Sequence, residues 1–205
     1  MISRFTAAAM TGVAALSLAG AHYADACTRI FANDKGGAML VARSMDWATT
    51  TEPVLTVFPR GLVRNGGAAG PMTVVADNPA HWTSKYGSVV TTIFGIGTAD
   101  GINERGLAAH MLYFPPADYG PRAPSKPGVQ AALWAQYALD NAATVEEALA
   151  KLATVQIVKV EIEVHGQKQT GTVHVALEDA SGDSAILEYL DGKLVVHHGH
   201  TSSPS

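Results

Sequence analysis

The sequence predicts an α+β fold with largely antiparallel sheets. Strand-like segments fill the first half of the chain, two helical segments follow, and strand-like segments return at the end. Because strands and helices do not alternate regularly, a doubly wound parallel sheet is not expected. With 205 residues, of which 47% are hydrophobic, the chain has enough apolar material for the core of one domain.

Strand-like segments come first. Residues 28–32 and 38–43 flank a glycine-containing turn at 33–37, which predicts a β-hairpin. Residues 53–58 are another candidate strand, and the glycine-rich stretch 60–71 lacks periodicity and is expected to be a loop. The β-branched residues of 86–96 predict a buried strand, and residues 106–114 predict a further strand after a turn at Asp100-Gly101.

The helical signals lie in the middle of the chain. Five prolines in residues 115–127 predict a second loop. Apolar residues at three- and four-residue spacing then predict a helix over 129–139. Thr144 and Glu147 form a capping box that opens a second helix over 145–152. The chain closes with predicted strands at 172–177, 185–190 and 193–197.

The first 26 residues have the pattern of an export signal. Arg4 provides a positive start, residues 6–21 are almost entirely small and apolar, and Ala24-Asp25-Ala26 has the form of a signal peptidase site. An N-terminal anchor helix is the alternative, but the apolar run is short for a membrane span. We therefore expect a signal peptide over 1–26, and a periplasmic or secreted protein with no membrane contact after cleavage.

Composition and weak motifs exclude several functions. Charged residues make up 16% of the chain and are mixed, so nucleic acid is not an expected partner. Gly95 and Gly97 do not fit the dinucleotide-binding fingerprint. His197, His198 and His200 stand at a predicted strand end, where polar surface is more common than metal ligation. Neither a cofactor nor a metal is expected.

Cys27 is the single cysteine and directly follows the expected cleavage site. A lipoprotein cysteine is one explanation, but Asp25 fits that signal badly. The other is an N-terminal nucleophile, whose own α-amino group serves as general base. The two groups suit each other because an α-amino group and a thiol titrate within about one pH unit. Position alone also allows a cysteine without a function near the terminus.

Several motifs in order connect Cys27 to a known family. Arg43 lies sixteen residues and Asp46 nineteen residues after Cys27. Together, residues 27–31, 42–47, 82–89, 100–107 and 112–115 resemble the choloylglycine hydrolase and penicillin V acylase family of N-terminal-nucleophile hydrolases. The leader and Tyr113 are more similar to the exported penicillin-acylase branch of Gram-negative bacteria than to the cytoplasmic bile salt hydrolases.

The resemblance implies an αββα sandwich and hydrolysis of linear amides. It implies that Cys27 is the nucleophile, that Arg43 favours its thiolate, and that Asp46 holds the α-amino group. Tyr113 stands where the family supplies an oxyanion donor, through its backbone N–H. Without the resemblance, Arg43 and Asp46 would be read as a surface ion pair.

The resemblance also suggests where substrate binds. Trp47, Trp82 and Asn103 are the candidate substrate-binding residues, although Asn103 alternatively braces the backbone of its turn. The expected partner is a small-molecule amide, and a homo-oligomer is compatible with the full-length relatives. Phenoxyacetyl penicillins, acyl-homoserine lactones and conjugated bile acids all remain open as substrates.

The last residues depart from the family pattern. Family members are longer and continue through a Thr-Asn-x-Pro motif and a later active-site arginine. Here residues 201–204 read Thr-Ser-Ser-Pro, so Ser202 stands in place of the asparagine, and the arginine is absent. We therefore expect residues 27–205 to be the N-terminal part of a choloylglycine hydrolase-like domain, truncated at its C-terminus. The alternative function is a catalytically impaired remnant or a binding module of the same fold.

Overall fold

The computed structural model describes residues 27–33, 39–47, 49–164, 166–199 and 202–204. The predicted signal peptide, most of the predicted turn at 33–37, His200 and Thr201 therefore lie outside the described residues. No helix in the described part of the chain is long and apolar enough to cross a membrane.

The described residues form eighteen β-strands and two α-helices, in the order strands, helices, strands. The strands that precede the helices are β1 (Thr28–Asn33), β2 (Met39–Arg43), β3 (Val54–Phe58), β4 (Val63–Asn65), β5 (Ala68–Ala69), β6 (Met72–Thr73), β7 (His81–Thr83), β8 (Ser88–Ile93), β9 (Gly97–Asn103), β10 (Ala108–Tyr113) and β11 (Gly128–Gln130). The remaining elements are α1 (Trp134–Asn141), α2 (Val145–Leu152), β12 (Gln156–Val158), β13 (Val160–Val164), β14 (Gln167–Gly171), β15 (Val173–Glu178), β16 (Ser184–Leu190), β17 (Lys193–His198) and β18 (Ser202–Pro204).

A seven-stranded sheet in the order β17-β16-β15-β10-β9-β8-β3 forms the centre of the molecule. Every neighbouring pair in it is antiparallel. The connection from β10 to β15 contains both helices, and α1 packs on β9 and β10. The α+β class and the antiparallel sheets predicted by the sequence are therefore confirmed.

The helices cover one face of this sheet. Trp134 and Leu139 of α1 are fully buried. Helix α2 begins as its capping box predicts, because the Thr144 hydroxyl accepts a hydrogen bond from the Glu147 N–H at 3.2 Å. The Glu147 carboxylate reaches back to the N–H of Ala143 at 2.9 Å, one residue before the cap.

The start of the first helix differs from the prediction of a helix over 129–139. Residues 128–130 instead form β11, parallel to β12, and a short 3-10 turn (Ala131–Leu133) leads into α1. Gln130 explains the delay. Its N–H donates to the carbonyl of Gly66 at 2.7 Å, and its side-chain oxygen accepts from the N–H of Ala132 at 2.8 Å. Tertiary contacts therefore hold Gln130 extended against the local helical pattern.

The opposite face of the sheet is partly covered by the predicted hairpin, which the structure confirms. Strands β1 and β2 pair antiparallel, with Arg29 opposite Arg43, and β18 adds a third strand. Arg29 and Phe31 are buried, whereas the intervening Ile30 is exposed, so alternate residues of β1 point toward the large sheet. The described residues thus form a helix layer, a large sheet and a small sheet.

The predicted turn at Asp100-Gly101 is wrong, because both residues lie inside β9. A Cβ atom on Gly101 would lie 2.4 Å from Cγ1 of Val90 and 3.0 Å from Cδ1 of Leu139. The glycine therefore permits close packing of the sheet against α1, not a turn. The chain turns a few residues later, where Gly106 has a φ angle of +84°.

The predicted loop over 60–71 contains two short strands, which is a second correction. Strand β4 pairs with β7 and β5 pairs with β6. Gly67 packs so closely that an added Cβ would lie 2.4 Å from the carbonyl oxygen of Val75. The glycines in this segment allow backbones to approach one another, which a reading based on periodicity cannot detect. The β13–β14 hairpin was not predicted either.

Candidate active site

Cys27 lies directly before β1, beneath the small sheet. Its side chain is buried, with the residue 2% exposed, and it packs in a cluster with Leu112, Ala176 and Ile186 of the large sheet. Tyr113 packs against the same cluster. Cys27 is the single cysteine of the sequence.

Cys27 contributes to the wall of an apolar cavity. The cavity contains about 660 Å³ of empty space, part of it open to solvent. Its walls come from β2, the segment after it, the large sheet, and the hairpin that follows the helices. The lining residues are Cys27, Arg43, Met45, Trp47, Thr51, Ile93, Phe94, Ile96, Gly97, Met111, Tyr113, Ala131, Ala132, Val160, Gly171 and Val173. Arg43 is the one charged side chain among them.

Arg43 is held in place by a dense set of acceptors. Its Nη1 atom donates to the carbonyl of Met111 at 2.7 Å and to the carboxylate of Asp100 at 3.1 Å. Its Nε atom donates to the carbonyl of Ser44 at 3.0 Å. Nη2 is buried and has no hydrogen-bond partner among the described residues. The guanidinium is therefore anchored through Nη1 and Nε at the wall of the cavity.

Asp46 is exposed, and it does not line the cavity. Its carboxylate accepts a hydrogen bond from the Ser44 hydroxyl at 2.8 Å. The same hydroxyl accepts from the backbone N–H of Thr28 at 3.1 Å, and the Ser44 N–H donates to the carbonyl of Thr28 at 2.9 Å. Asp46 is thus linked through Ser44 to the residue that follows Cys27. Sequence reasoning missed Ser44, although it lies within the Arg43–Asp46 motif.

Two of the predicted aromatic residues meet in the cavity wall. The ring of Trp47 contacts that of Tyr113 edge to face, with centroids 5.1 Å apart, and lies 6.4 Å from the ring of Phe94. Such edge-to-face pairs fix ring orientation. The structure therefore brings Cys27, Arg43, Trp47 and Tyr113 together around one space.

The structure does not bring Trp82 and Asn103 to this cavity. The indole of Trp82 donates to the carboxylate of Asp140 at 2.7 Å and packs on the ring of Tyr137. The Asn103 amide donates to the carbonyls of Leu139 and Ala142 at 2.9 and 2.7 Å. Its oxygen accepts two backbone N–H groups of the following turn. Asn103 thus makes the bracing contacts that the sequence offered as the alternative.

The histidines near the C-terminal strand make contacts with a carboxylate. His174 and His197 both lie against Glu188, at 3.3 and 3.1 Å. Burial, the largest effect, lowers the pKa of His174 even though Glu188 opposes it. No group of three or more His, Cys, Asp or Glu side chains in the described ranges is arranged to hold a metal ion.

A row of charged residues runs from the cavity into the space between the two sheets. Arg43 contacts Asp100, Asp100 contacts His110, His110 contacts Glu178, and Glu178 contacts Arg29. This row could not be predicted from the sequence, because its members come from β1, β2, β9, β10 and β15. Only a register known in three dimensions brings them together.

The family follows from comparison with known proteins. The family of linear amide C–N hydrolases called the choloylglycine hydrolase family matches residues 27–205. The chain belongs to the choloylglycine hydrolase family. The resemblance carried by the motifs is therefore confirmed, over the whole chain from Cys27 onward.

Individual members of the family agree with this assignment. The chain is 44% identical to a penicillin V acylase from Pectobacterium atrosepticum, over 94% of this chain and 54% of that protein. The structure of penicillin V acylase from Agrobacterium tumefaciens matches with a TM-score of 0.73 and 45% identity, over 86% of this chain and 51% of the other. A conjugated bile acid hydrolase from Clostridium perfringens matches with a TM-score of 0.69 and 26% identity, over 87% and 54% of the two chains.

These matches confirm the predicted N-terminal-nucleophile hydrolase fold. The choloylglycine hydrolase-like chain nevertheless spans about half the length of the relatives it matches.

Proposed function

We propose that this choloylglycine hydrolase family member cleaves linear amides with the Cys27 thiol as nucleophile. The observation that carries the proposal is the position of Cys27, which is buried in the wall of an apolar cavity beside Arg43, Trp47 and Tyr113. A thiol beside a fixed cation, facing an apolar space, can attack the carbonyl of an amide whose acyl group fills that space.

The nucleophile requires a free α-amino group. We propose that residues 1–26 are a signal peptide removed between Ala26 and Cys27, and that the mature protein is periplasmic or secreted. The Ala24-Asp25-Ala26 site supports this, as does the family match that begins at Cys27. The new amino group, on the Cα that carries the thiol side chain, can accept its proton. The Ser44–Asp46 pair lies next to this terminus and is suited to orient it.

The reaction then follows in two halves. The thiolate forms a C–S bond with the amide carbonyl carbon, and the charge of the tetrahedral intermediate gathers on the former carbonyl oxygen. The C–N bond breaks as the α-ammonium returns its proton to the leaving amine. Water, deprotonated by the same amine, next attacks the thioester, which releases a carboxylic acid and restores the thiol. Arg43 stabilises the thiolate, and the backbone N–H of Tyr113 is the proposed oxyanion donor.

The cavity indicates the acyl half of the substrate. Apart from Arg43, its lining is apolar or neutral, with aromatic rings from Trp47, Phe94 and Tyr113. An uncharged acyl group with an aromatic or aliphatic end matches these walls. The penicillin V acylase relatives favour a phenoxyacetyl amide as the first substrate to test, with acyl-homoserine lactones and conjugated bile acids as the other candidates.

The test is release of product from penicillin V by the processed, secreted protein. We expect the wild-type chain to release phenoxyacetate and the Cys27→Ser variant to release none above background. Serine keeps the shape of the side chain but is a weaker nucleophile at this position. Intact mass of the secreted protein checks cleavage before Cys27. A chain that retains residues 1–26, or turnover that survives Cys27→Ser, would refute the proposal.

A second candidate is binding of the same amides with little or no turnover. The observation that favours it is that Asp46, the residue expected to hold the α-amino group, is exposed and does not line the cavity. A general base that is poorly held would slow the proton transfers and leave the pocket intact. Saturable binding of penicillin V by the Cys27→Ser variant, combined with very slow wild-type turnover, would select this candidate.

A further inference from the structure

We propose that His110 is a positioning residue for the Cys27 site: as an imidazolium held between Asp100 and Glu178, it keeps Asp100 against Arg43 and so fixes the guanidinium in the cavity wall. This inference rests on the proposed role of Cys27 and extends it to residues that do not line the cavity.

The geometry of His110 supplies the first argument. Its Nδ1 atom lies 2.7 Å from Oδ1 of Asp100, and its Nε2 atom makes a close contact with Oε1 of Glu178. A neutral imidazole has one N–H and one acceptor nitrogen, so it would place a lone pair against one of the two carboxylates. An imidazolium donates to both. The doubly protonated ring is therefore the form that satisfies both contacts.

The second argument is the alternation of charge along the row. From the cavity inward the order is Arg43, Asp100, His110, Glu178 and Arg29, so each anion lies between two cations when His110 is protonated. Buried charges are tolerated only when they are paired and hydrogen-bonded. If His110 lost its proton, Asp100 and Glu178 would each contact one cation. The lone pair of the deprotonated ring nitrogen would then face one of the two carboxylates.

The third argument is the balance of effects on the ring. Burial, the largest single effect, lowers the pKa of His110, but the hydrogen bonds and charges of Asp100 and Glu178 together outweigh it and raise the pKa. Arg29 and Arg43 are the cations that face this carboxylate pair. A groove between the two sheets is lined by both His110 and Asp179. The Asp179 carboxylate, however, accepts hydrogen bonds from Ser181 and from the Val145 N–H.

The consequence for Cys27 runs through Asp100. One Asp100 oxygen bonds Arg43 and the other bonds His110. While His110 is charged, it shares the negative charge of Asp100, so the guanidinium keeps more of its positive field for a thiolate in the cavity. When His110 loses its proton, Asp100 neutralises Arg43 more completely and loses the positive charge that faces it from the far side. The nucleophile should then be less reactive.

The test is the rate at which iodoacetamide alkylates Cys27, followed by intact mass across the pH range of histidine titration. Because Cys27 is the single cysteine, the mass change reports this thiol alone. At pH values where His110 is charged, we expect His110→Gln to react about three- to tenfold more slowly than wild type. The ratio of the two rates should fall toward one as rising pH deprotonates the wild-type ring. A ratio that stays constant with pH, or equals one throughout, overturns the proposal.

Two further variants separate positioning from general destabilisation. His197→Gln removes another histidine of the large sheet that contacts a carboxylate, and we expect it to leave the pH dependence of alkylation unchanged. If His110 acts through Asp100, the double variant His110→Gln/Asp100→Asn should be no slower than the slower single variant. Effects that multiply would show that His110 does not act through Asp100.

The outcome is distinguishable from failure of the proposed function. If wild type turns over penicillin V but the alkylation ratio does not depend on pH, the proposed role of His110 is refuted and the proposed amidase activity is supported. If the alkylation ratio depends on pH but wild type shows no turnover, the proposed role of His110 is supported and the proposed amidase activity is refuted. If His110→Gln does not fold, the ¹⁵N resonances of the wild-type imidazole decide. Two N–H groups on His110 at neutral pH support the proposal, and a single N–H refutes it.

Discussion

The two faces of the seven-stranded sheet differ in what covers them. On the face toward the helices, neighbouring residues of successive strands, such as Val90, Ala109 and Leu177, are all buried. On the other face, Val57 and Val89 lie opposite one another and are exposed. Within the described residues, the β1–β2 hairpin covers the middle of that second face, where it encloses Cys27 and the charged row.

Under the proposed function, stability and chemistry are assigned to different faces of one sheet. Apolar packing against α1 supplies most of the core, because burial of apolar side chains is the dominant favourable contribution to folding. The second face buries Arg29, His110 and Glu178, whose charges must be paired with one another. Substitutions on the first face should therefore affect folding, and substitutions at the middle of the second face should affect reactivity.

A matched pair of leucines gives the largest expected contrast. Leu139 of α1 is 0% exposed, whereas Leu55 of β3 is 75% exposed. We expect Leu139→Ala to lower the free energy of unfolding by about 2–5 kcal/mol, because it removes buried surface and leaves a cavity. Leu55→Ala should change it by no more than about 0.5 kcal/mol. Urea denaturation of both variants measures the contrast, and equal losses would show that the second face is covered in solution.

A glycine beneath the helix should give the next largest effect. We expect Gly101→Ala to cost about 1–3 kcal/mol, because the new methyl group would overlap Val90 and press on Leu139. Thermal unfolding measures the loss. Combined with Leu139→Ala, the glycine substitution should cost less than it does alone, since one of the crowded neighbours is shortened. Strict additivity of the two losses would contradict the proposed packing of Gly101 against α1.

Structural features that depend on local sequence patterns were predictable from the sequence. The Thr144 capping box and the β1–β2 hairpin depend on residues a few positions apart, and both appear where they were predicted. Predictions from the sequence were wrong where the conformation of a residue depends on neighbours far away in the chain. Gly101 suggested a turn because glycine favours turns. The structure instead requires a glycine there because Leu139, far along the chain, packs closely against it. Gln130 continued a helical pattern, yet Gly66 holds it extended.

The residues of the candidate site also fall into those that local motifs identify and those that depend on distant contacts. Four residues that the motifs singled out, Cys27, Arg43, Trp47 and Tyr113, line one cavity. His110 could not be found, because its two partners, Asp100 and Glu178, come from strands on either side of it. Registers between strands far apart in sequence are not encoded in any local pattern.

The last contrast tests the comparison on a single strand. Val89 and Val90 are neighbours in β8 that point to opposite faces, and they are 40% and 1% exposed. Val→Thr keeps the β-branched shape and exchanges a methyl group for a hydroxyl, so the two substitutions differ only in environment. Val90→Thr should cost about 1–3 kcal/mol, because the hydroxyl is placed among apolar groups beneath α1. Val89→Thr should remain within about 0.5 kcal/mol of wild type, because water can reach the new hydroxyl. Urea denaturation of the two variants side by side measures the difference. A cost at Val89 that approaches the cost at Val90 would mean that the second face is buried against something in solution, and the two faces would then not differ as the structure indicates.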